Sequence, residues 1–519
     1  MSFMERLGET LGEEFNNSIT ENGAVGYRTS GKELLDLNFA VSSMRNRPDR
    51  EIKDRFAKAY FENKLLAIKW LFFASDVRGG MGERRMFKVC INWLAEENPE
   101  VVRKVLGLVP EYNRWDNILN LLETGLRADV IALIKTQLTE DMKNMHEGKS
   151  ISLIAKWLPS ANASSKKTKQ YAKMVINGLK IPAKSYRKML SALRKYLNVV
   201  EIKMSGKEWG AIDYSAVPSR ANLIYNSAFL RNDEERRREY LASLERGEAK
   251  INAGTLFPHD IVHKYTNGSH YTSRSLDTTI EQLWKNLPDY VQGAGNTICV
   301  ADGSGSMTTR VGSTGVSCLD VANALAIYFA ERSSGEFNNK YITFSERPQL
   351  VDLSSGHNLR DKINIAFRHS EVANTNIEAV FDLILATAVK SNMTQDEMPQ
   401  NILILSDMEF DSCTTTSSYG SNYGWGRRNS IQKKLFTEFA ERYAEHGYKL
   451  PRLVFWNICS RTGTIPLKEN ELGVALVSGF SPAIMKMVLS NQTDPFECLL
   501  EQLNSERYKP VEEAIESLV

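Results

Sequence analysis

Asp302-Gly303-Ser304-Gly305-Ser306 sets one carboxylate and two hydroxyls at alternate positions with glycine between them. Hard oxygens on so short a turn suit a hard divalent cation, and Mg2+ asks for near-octahedral oxygen coordination that includes several waters. The preceding residues 297–301, TICVA, are apolar and partly β-branched and follow the loose stretch QGAGN. That pattern predicts a short buried strand running straight into the turn. Open α/β sheets hold ligands at the carboxyl ends of their strands. Two more oxygen donors stand in equivalent places. Thr375, in ANTN, lies just before a predicted helix over 377–390, and Asp407 follows the apolar run 401–406, NILILS. Asp302, Ser304, Ser306, Thr375 and Asp407 are therefore expected to converge on Mg2+ (or Mn2+). The bland alternative is a glycine-rich strand-to-helix turn. A nucleophile elbow needs G-x-S-x-G spacing, which D-G-S-G-S lacks. A P-loop needs Lys-Ser/Thr after its glycines, and none follows.

The elements that must position these residues begin near Gly293. Predicted strands at 297–301, 401–406, 452–457 and 474–477 alternate with helices at 319–332, 377–390, 431–446 and 482–490. A hairpin, 340–344 with 349–353, turns through SERP. Such alternation predicts a doubly wound, mostly parallel sheet. Upstream, residues 32–288 follow a helical period almost throughout, with breaks at Pro110, Gly148, Pro159, Pro182, Gly206 and Pro218. The stretch 49–74 reads as one long helix or two broken near Asn63. The expected fold class is α + α/β: a HEAT-like α-helical array or ring followed by a doubly wound, Rossmann-like domain. The expected division is a flexible arm at 1–30, a helical-repeat domain at 31–290, an α/β domain with the metal site at 291–492, and a helical tail at 493–519 packing back on the helical domain.

A chain of 519 residues exceeds one ordinary core. Its net charge of +2 excludes nucleic-acid binding by overall charge, so such binding needs a local patch. No apolar run is long enough to cross a bilayer, and the early acidic residues of MSFMERLGETLGEEF do not make a secretory signal. The six cysteines have neither CxxC nor zinc spacing, which fits a reducing, cytoplasmic setting, and a monomer is expected. A local patch does exist between Lys166 and Lys207. Lys166, Lys167, Lys169, Lys173, Arg187, Lys188, Arg194 and Lys195 lie there with Tyr171, Tyr186 and Tyr196 interleaved. Clustered cations release counterions from phosphates, and aromatic rings stack on unpaired bases. Arg78 and Arg84 flank the GGMG break and are further candidates for RNA contact, although a plain helix stop accounts for the glycines. Arg114 and Asp116 beside Trp115 are expected to pair between helices. His259-Asp260-Ile261-Val262-His263 echoes the zinc-protease HExxH, but Asp replaces Glu and no third ligand is evident. An acidic first helical turn with packed histidines is expected instead. Residues 414–429, TTTSSYGSNYGWGRRN, read as a polar surface insertion beside the metal loops.

The set Asp302, Ser304, Ser306, Thr375 and Asp407 resembles the metal-ion-dependent adhesion site of the von Willebrand factor type A fold. The third loop reads SDMEF where that family more often has Asp-Gly, and Glu409 and Asp411 add carboxylates nearby. The resemblance implies that Ser304, Ser306 and Thr375 ligate directly or through water, with Asp302 and Asp407 often standing behind them and one position open to an acidic ligand group. A helical array joined to such a domain resembles the TROVE-module, Ro-autoantigen type of RNA-binding protein. In those, a helical ring holds the 3′ ends of misfolded RNAs and its outer surface binds small structured RNAs. The chain resembles still more closely the uncharacterised DUF2828 family, through DVRGGMGER (76–84) and YNRWD (112–116), over roughly residues 30 to 490. What these resemblances imply is a non-enzymatic, RNA-binding ribonucleoprotein component whose metal site takes an acidic protein ligand. The alternative is a metal-dependent protein-interaction module without RNA. A hydrolase is a third class, for which no positioned base is evident.

Overall fold

The apolar runs of the C-terminal half pair as expected. In the computed structural model, which describes residues 4, 6, 11, 15–21, 25–267, 275–293, 295–312, 315–344, 347–369, 377–410, 439–466, 473–489 and 494–518, two sheets form. A ribbon joins β1 (Asn17–Ile19) and β2 (Val25–Tyr27) in antiparallel register. The main sheet contains β3 (Thr297–Asp302), β4 (Lys340–Phe344), β5 (Leu350–Asp352), β6 (Asn401–Ser406), β7 (Arg452–Asn457) and β8 (Val474–Ser478), in the spatial order β5-β4-β3-β6-β7-β8. All neighbours are parallel except β5, an antiparallel edge strand on β4. Every residue of β3 and β8 is buried, and so is all but the first of β6 and β7. Continuous apolar runs of this kind belong to parallel strands covered on both faces. Strand order reverses between β3 and β6, and open α/β sheets bind ligands beyond the strand ends at such a switch point.

The helix Cys318–Arg332 packs on β3, β4 and β6 and is buried from Cys318 through Ala330. It opens on a capping box: Ser317 Oγ accepts the Asp320 N–H at 3.1 Å, and the Asp320 carboxylate accepts the Ser317 N–H at 3.0 Å. The helix Ile377–Lys390 matches the expected span. Tyr443 anchors its own segment there by donating to the Phe381 carbonyl at 3.0 Å.

The chain divides into two compact units whose limits differ from the expected ones. The first comprises Met1–Glu51 and Leu256–Leu503; the second comprises Ile52–Thr255 and Asn504–Val519. Residues 31–51 and 256–290 thus go with the sheet and not with the helical half. Hydrogen bonds supply the reason. The Ser42 hydroxyl bonds the Asn457 carbonyl at 3.0 Å and the Ser478 hydroxyl at 2.7 Å, while Asn457 Nδ2 reaches back to the Phe39 carbonyl at 2.8 Å. On the helix Thr278–Lys285, Glu281 accepts the Leu359 N–H at 2.8 Å and Trp284 donates to Glu331 at 2.5 Å. The described part of the N-terminal segment is tied down as well. Tyr27 exchanges both backbone hydrogen bonds with Ile465 at 2.8 Å, and the Thr20 hydroxyl donates to the Phe410 carbonyl at 2.7 Å.

The second unit is helical. The break near Asn63 separates Asp49–Glu62 from Lys64–Ser75, with the Asn63 side chain accepting the Leu66 N–H at 3.0 Å as N-cap. At the GGMG break a Cβ on Gly80 would lie 1.9 Å from the Phe73 carbonyl oxygen, so close backbone approach demands glycine there. Buried Asp76 accepts the Arg78 N–H at 2.9 Å and the Tyr508 hydroxyl at 3.2 Å, and pairs with Arg507. Buried Lys69 donates to Asn504 at 2.7 Å and Glu512 at 2.6 Å, so the segment from Asn504 onward packs in this unit. No described helix is long and apolar enough to cross a membrane.

Candidate functional site: a carboxylate and hydroxyl cluster at the switch point

The register sets Ala301 opposite Leu405, so Asp302 ends β3 beside Ser406 at the end of β6. Asp302 is 1% and Asp407 2% exposed. Asp302 Oδ1 accepts the Ser304 N–H at 2.8 Å, and Oδ2 accepts the Ser406 hydroxyl at 2.5 Å. Ser406 Oγ in turn accepts the Met408 N–H at 3.0 Å. The Ser304 and Ser306 hydroxyls lie 2.8 Å apart. Ser306 also hydrogen-bonds the Asp407 carboxylate, whose Oδ1 accepts the Glu409 N–H at 3.2 Å. Four of the five expected residues, Asp302, Ser304, Ser306 and Asp407, therefore meet. Thr375 lies outside the described residues, as do Asp411 and the insertion 414–429.

Burial first, and then the negative charge of Asp302, push the Asp407 carboxyl from 3.8 up to about 7. The Arg461 guanidinium stands 3.8 Å from Asp407 Oδ2 but also pairs with Glu21 at 2.5 Å. Two buried carboxylates with converging hydroxyls form an oxygen-only donor set with surplus negative charge, which suits a hard divalent cation. Among the described residues no three His, Cys, Asp or Glu side chains are grouped as metal ligands. A cation here would thus depend on hydroxyls and water. The residues that would hold it are Ser304, Ser306 and the two aspartates.

Two features of the third loop replace what its sequence suggested. Met408 occupies the left-handed region at φ 63° with its side chain buried, a conformation that glycine adopts at less cost. Glu409 is not a further ligand. Its Oε1 accepts the Arg461 and Thr462 N–H groups at 2.7 and 2.8 Å and the Ser460 hydroxyl at 3.1 Å, while Oε2 accepts the Glu21 N–H at 2.8 Å. A carboxylate filling a backbone nest clamps the loop after β7 to the loop after β6. Ser406 and Arg461 were not foreseen as partners of the site, and Glu409 was foreseen only as a nearby carboxylate. Cys318 and Cys459, buried free thiols, hydrogen-bond each other beside the two aspartates.

The expected RNA-contacting residues sort into two groups. Arg78, Arg84, Lys166, Lys167, Lys169, Lys173, Arg187, Lys188 and Lys195 are exposed in the helical unit. Arg194 is not presented to a ligand. Its guanidinium donates to the Ala155 carbonyl at 2.8 Å, the Leu158 carbonyl at 2.8 Å and Ser160 Oγ at 2.9 Å, holding the end of the helix Ile154–Trp157. Tyr186 is fully buried and donates to the Pro159 carbonyl at 3.0 Å, so it offers no stacking face. Arg114 and Asp116 pair with each other within one segment rather than between helices. Asp260 accepts the Phe257 N–H at 3.1 Å as a helix cap, and His259 packs on Phe480 with ring centroids 5.2 Å apart.

Fold and cluster together define a two-part chain: a helical N-terminal region, then a mostly parallel sheet with buried carboxylates at its switch point. The chain belongs to the DUF2828 family, whose domain of unknown function matches residues 20–110 and 164–296. A second domain of unknown function, DUF7788, matches residues 296–516, so the two meet one residue before β3. An uncharacterized protein of Acanthamoeba polyphaga mimivirus is 30% identical over 536 residues, covering 96% of this chain and 89% of that protein.

Proposed function

We propose that the protein is a non-enzymatic RNA-binding component of a ribonucleoprotein. Its helical unit holds RNA, and its sheet unit carries a Mg2+ (or Mn2+) site of the von Willebrand factor A type. The observation that carries this reading is the meeting of Asp302, Ser304, Ser306 and Asp407 at the switch point, in a chain whose helical unit exposes a run of cations. The resemblance of this pairing to TROVE-module proteins supplies the RNA. Exposed lysines and arginines contact phosphates, and the metal would offer an open position to an acidic partner group. Buried free cysteines suit a reducing, cytoplasmic setting.

Filter binding of a single-stranded RNA to the full chain over a salt series tests the reading. Log affinity is expected to fall linearly with log salt, at about 0.7 per phosphate neutralised. No binding at low salt, or a flat salt response, overturns it. A second reading, a metal-dependent protein-interaction module without RNA, is favoured by the fact that every clustered oxygen donor lies in the sheet unit and none of the candidate cations does. It predicts partner binding that is lost with chelator and with Asp302→Ala, at any salt.

A further inference from the structure

The helical unit contains a second polar centre. On the helix Arg84–Glu97, Arg84 and Lys88 stand four residues apart and share a face. The segment Trp115–Glu123 packs against that helix, and the helices Lys166–Leu179 and Ile154–Trp157 pack against the same segment. Arg114 and Lys167 thereby come into the field of Lys88, alongside one acid, Asp116. Asp116 is already engaged by two nitrogens of Arg114, and Lys167 has Glu123 at 3.5 Å. Lys88 itself is half-buried, and its ammonium makes no hydrogen bond or ion pair among the described residues. Burial, and after it the nearby arginines and Lys167, lower its pKa against the pull of Asp116. A half-buried ammonium whose one nearby carboxylate is engaged by Arg114 lacks a hydrogen-bonded counter-charge, which is unfavourable. Aromatic faces border the centre. The Arg114 guanidinium lies 4.0 Å over the Trp157 ring and the Lys167 ammonium 5.4 Å over that of Tyr171. Lys156, 5.6 Å over Trp157, lines a neighbouring cleft of about 210 Å3.

We propose that Arg84, Lys88, Arg114 and Lys167 form a phosphate-binding site in the helical unit, with Trp157 and Tyr171 as flanking faces for unpaired bases. The Lys88 ammonium is the centre, because an incoming oxyanion supplies the partner that the folded chain does not. A fully buried structural lysine of the same unit, Lys69, pairs with a carboxylate, Glu512, at 2.6 Å. The carrier of the phosphate is single-stranded RNA. That identity rests on the RNA reading above, whereas the site itself does not.

The test uses the full chain under limiting acetylation of lysines, with Lys88 followed by mass spectrometry. The probes are a single-stranded oligouridylate and, separately, inorganic pyrophosphate. Lys88→Met and Lys88→Arg are measured in parallel for oligonucleotide affinity and melting temperature. The expected result is that oligonucleotide slows Lys88 acetylation several-fold. Lys88→Met is then expected to weaken binding about five- to ten-fold and flatten the salt slope by about 0.7. Lys88→Arg retains binding, and the methionine variant melts no lower than the parent. Oligonucleotide binding that leaves Lys88 reactivity unchanged overturns the site and leaves the RNA reading standing. If no oligonucleotide binds, the RNA reading falls; pyrophosphate protection of Lys88 then upholds the phosphate site, and no protection removes it. A methionine variant that melts well below the parent and binds normally once folded makes Lys88 structural and also overturns the proposal.

Discussion

Asp407→Asn separates a cation site from a merely buried acid. The Asp407 carboxyl titrates at about 7 instead of 3.8, because it is buried and then because Asp302 is close. The folded state therefore binds its proton more tightly than the unfolded state does. Stability is unaffected below about pH 3.8, falls as pH rises toward about 7, and levels off above it. Each tenfold in proton affinity is worth about 1.4 kcal/mol, so the full rise corresponds to on the order of 4 kcal/mol. Sharing of the charge with Asp302 and relaxation of the loop reduce this to roughly 2–4 kcal/mol. Asparagine keeps an oxygen to accept the Ser306 hydroxyl and the Glu409 N–H but carries no charge. In chelator the variant should be the more stable by that amount at about pH 8, and equal to the parent near pH 4. Millimolar Mg2+ should restore the parent at pH 8, since a ligand at a hundred times its Kd adds about 2.7 kcal/mol, and should leave the variant unmoved. Hydrogen exchange of peptides from β3 and β6 reads the local free energy without averaging over the helical unit. The cation site is refuted if Mg2+ protects parent and variant alike. The electrostatic argument is refuted if the variant gains nothing at pH 8.

Ser406→Ala removes a hydroxyl that donates to Asp302 and accepts the Met408 N–H, both buried, and should lower the stability of β6 by roughly 2–3 kcal/mol, read by the same exchange measurement. Glu409→Gln weakens the nest formed by Ser460, Arg461 and Thr462 and should speed exchange and proteolysis at 460–465, with a loss of roughly 2–4 kcal/mol; an unchanged cleavage rate would deny the clamp. Arg194→Met should lower the melting temperature of the helical unit, for a cost of roughly 2–4 kcal/mol, while the salt slope of RNA binding stays put. Lys173→Glu should do the reverse, weakening RNA binding with the melting temperature unchanged; equal effects from the two would undo the division between them.

What could be read beforehand follows from how local its causes are. Asn401–Ser406 and Arg452–Asn457 match their expected spans because parallel strands buried on both faces are written as unbroken apolar runs. Asp302 and Asp407 were legible because each ends such a run. Ser406 was not, since its role depends on the pairing of β3 with β6 a hundred residues apart. The Glu409 clamp likewise needs the loops after β6 and β7 to meet. The compact units differ from the expected domains because a helical period says that a segment is helical but not which core it joins, as Thr278–Lys285 shows.

Arg194 is a different kind of miss. Tyr186, Leu190 and Leu193 mark the buried stripe of the helix Ala183–Tyr196, and Arg194 stands four residues after Leu190 on that stripe. Lys188 and Lys195 fall off it and are exposed, and Arg187, seven residues before Arg194 on the same border of the stripe, is exposed as well. The period sets Lys188 and Lys195 apart from Arg194 but does not separate Arg194 from Arg187, which only the fold does. Lys88 lies at the border of the buried stripe of its own helix, one residue after buried Phe87 and three before buried Ile91. A charge on an inward stripe raises one question, what it pairs with, and only the fold answers it. Arg194 finds three internal acceptors and Lys88 finds none among the described residues. By that difference the first is a strut of the helical unit, and the second is the group left for a ligand to satisfy.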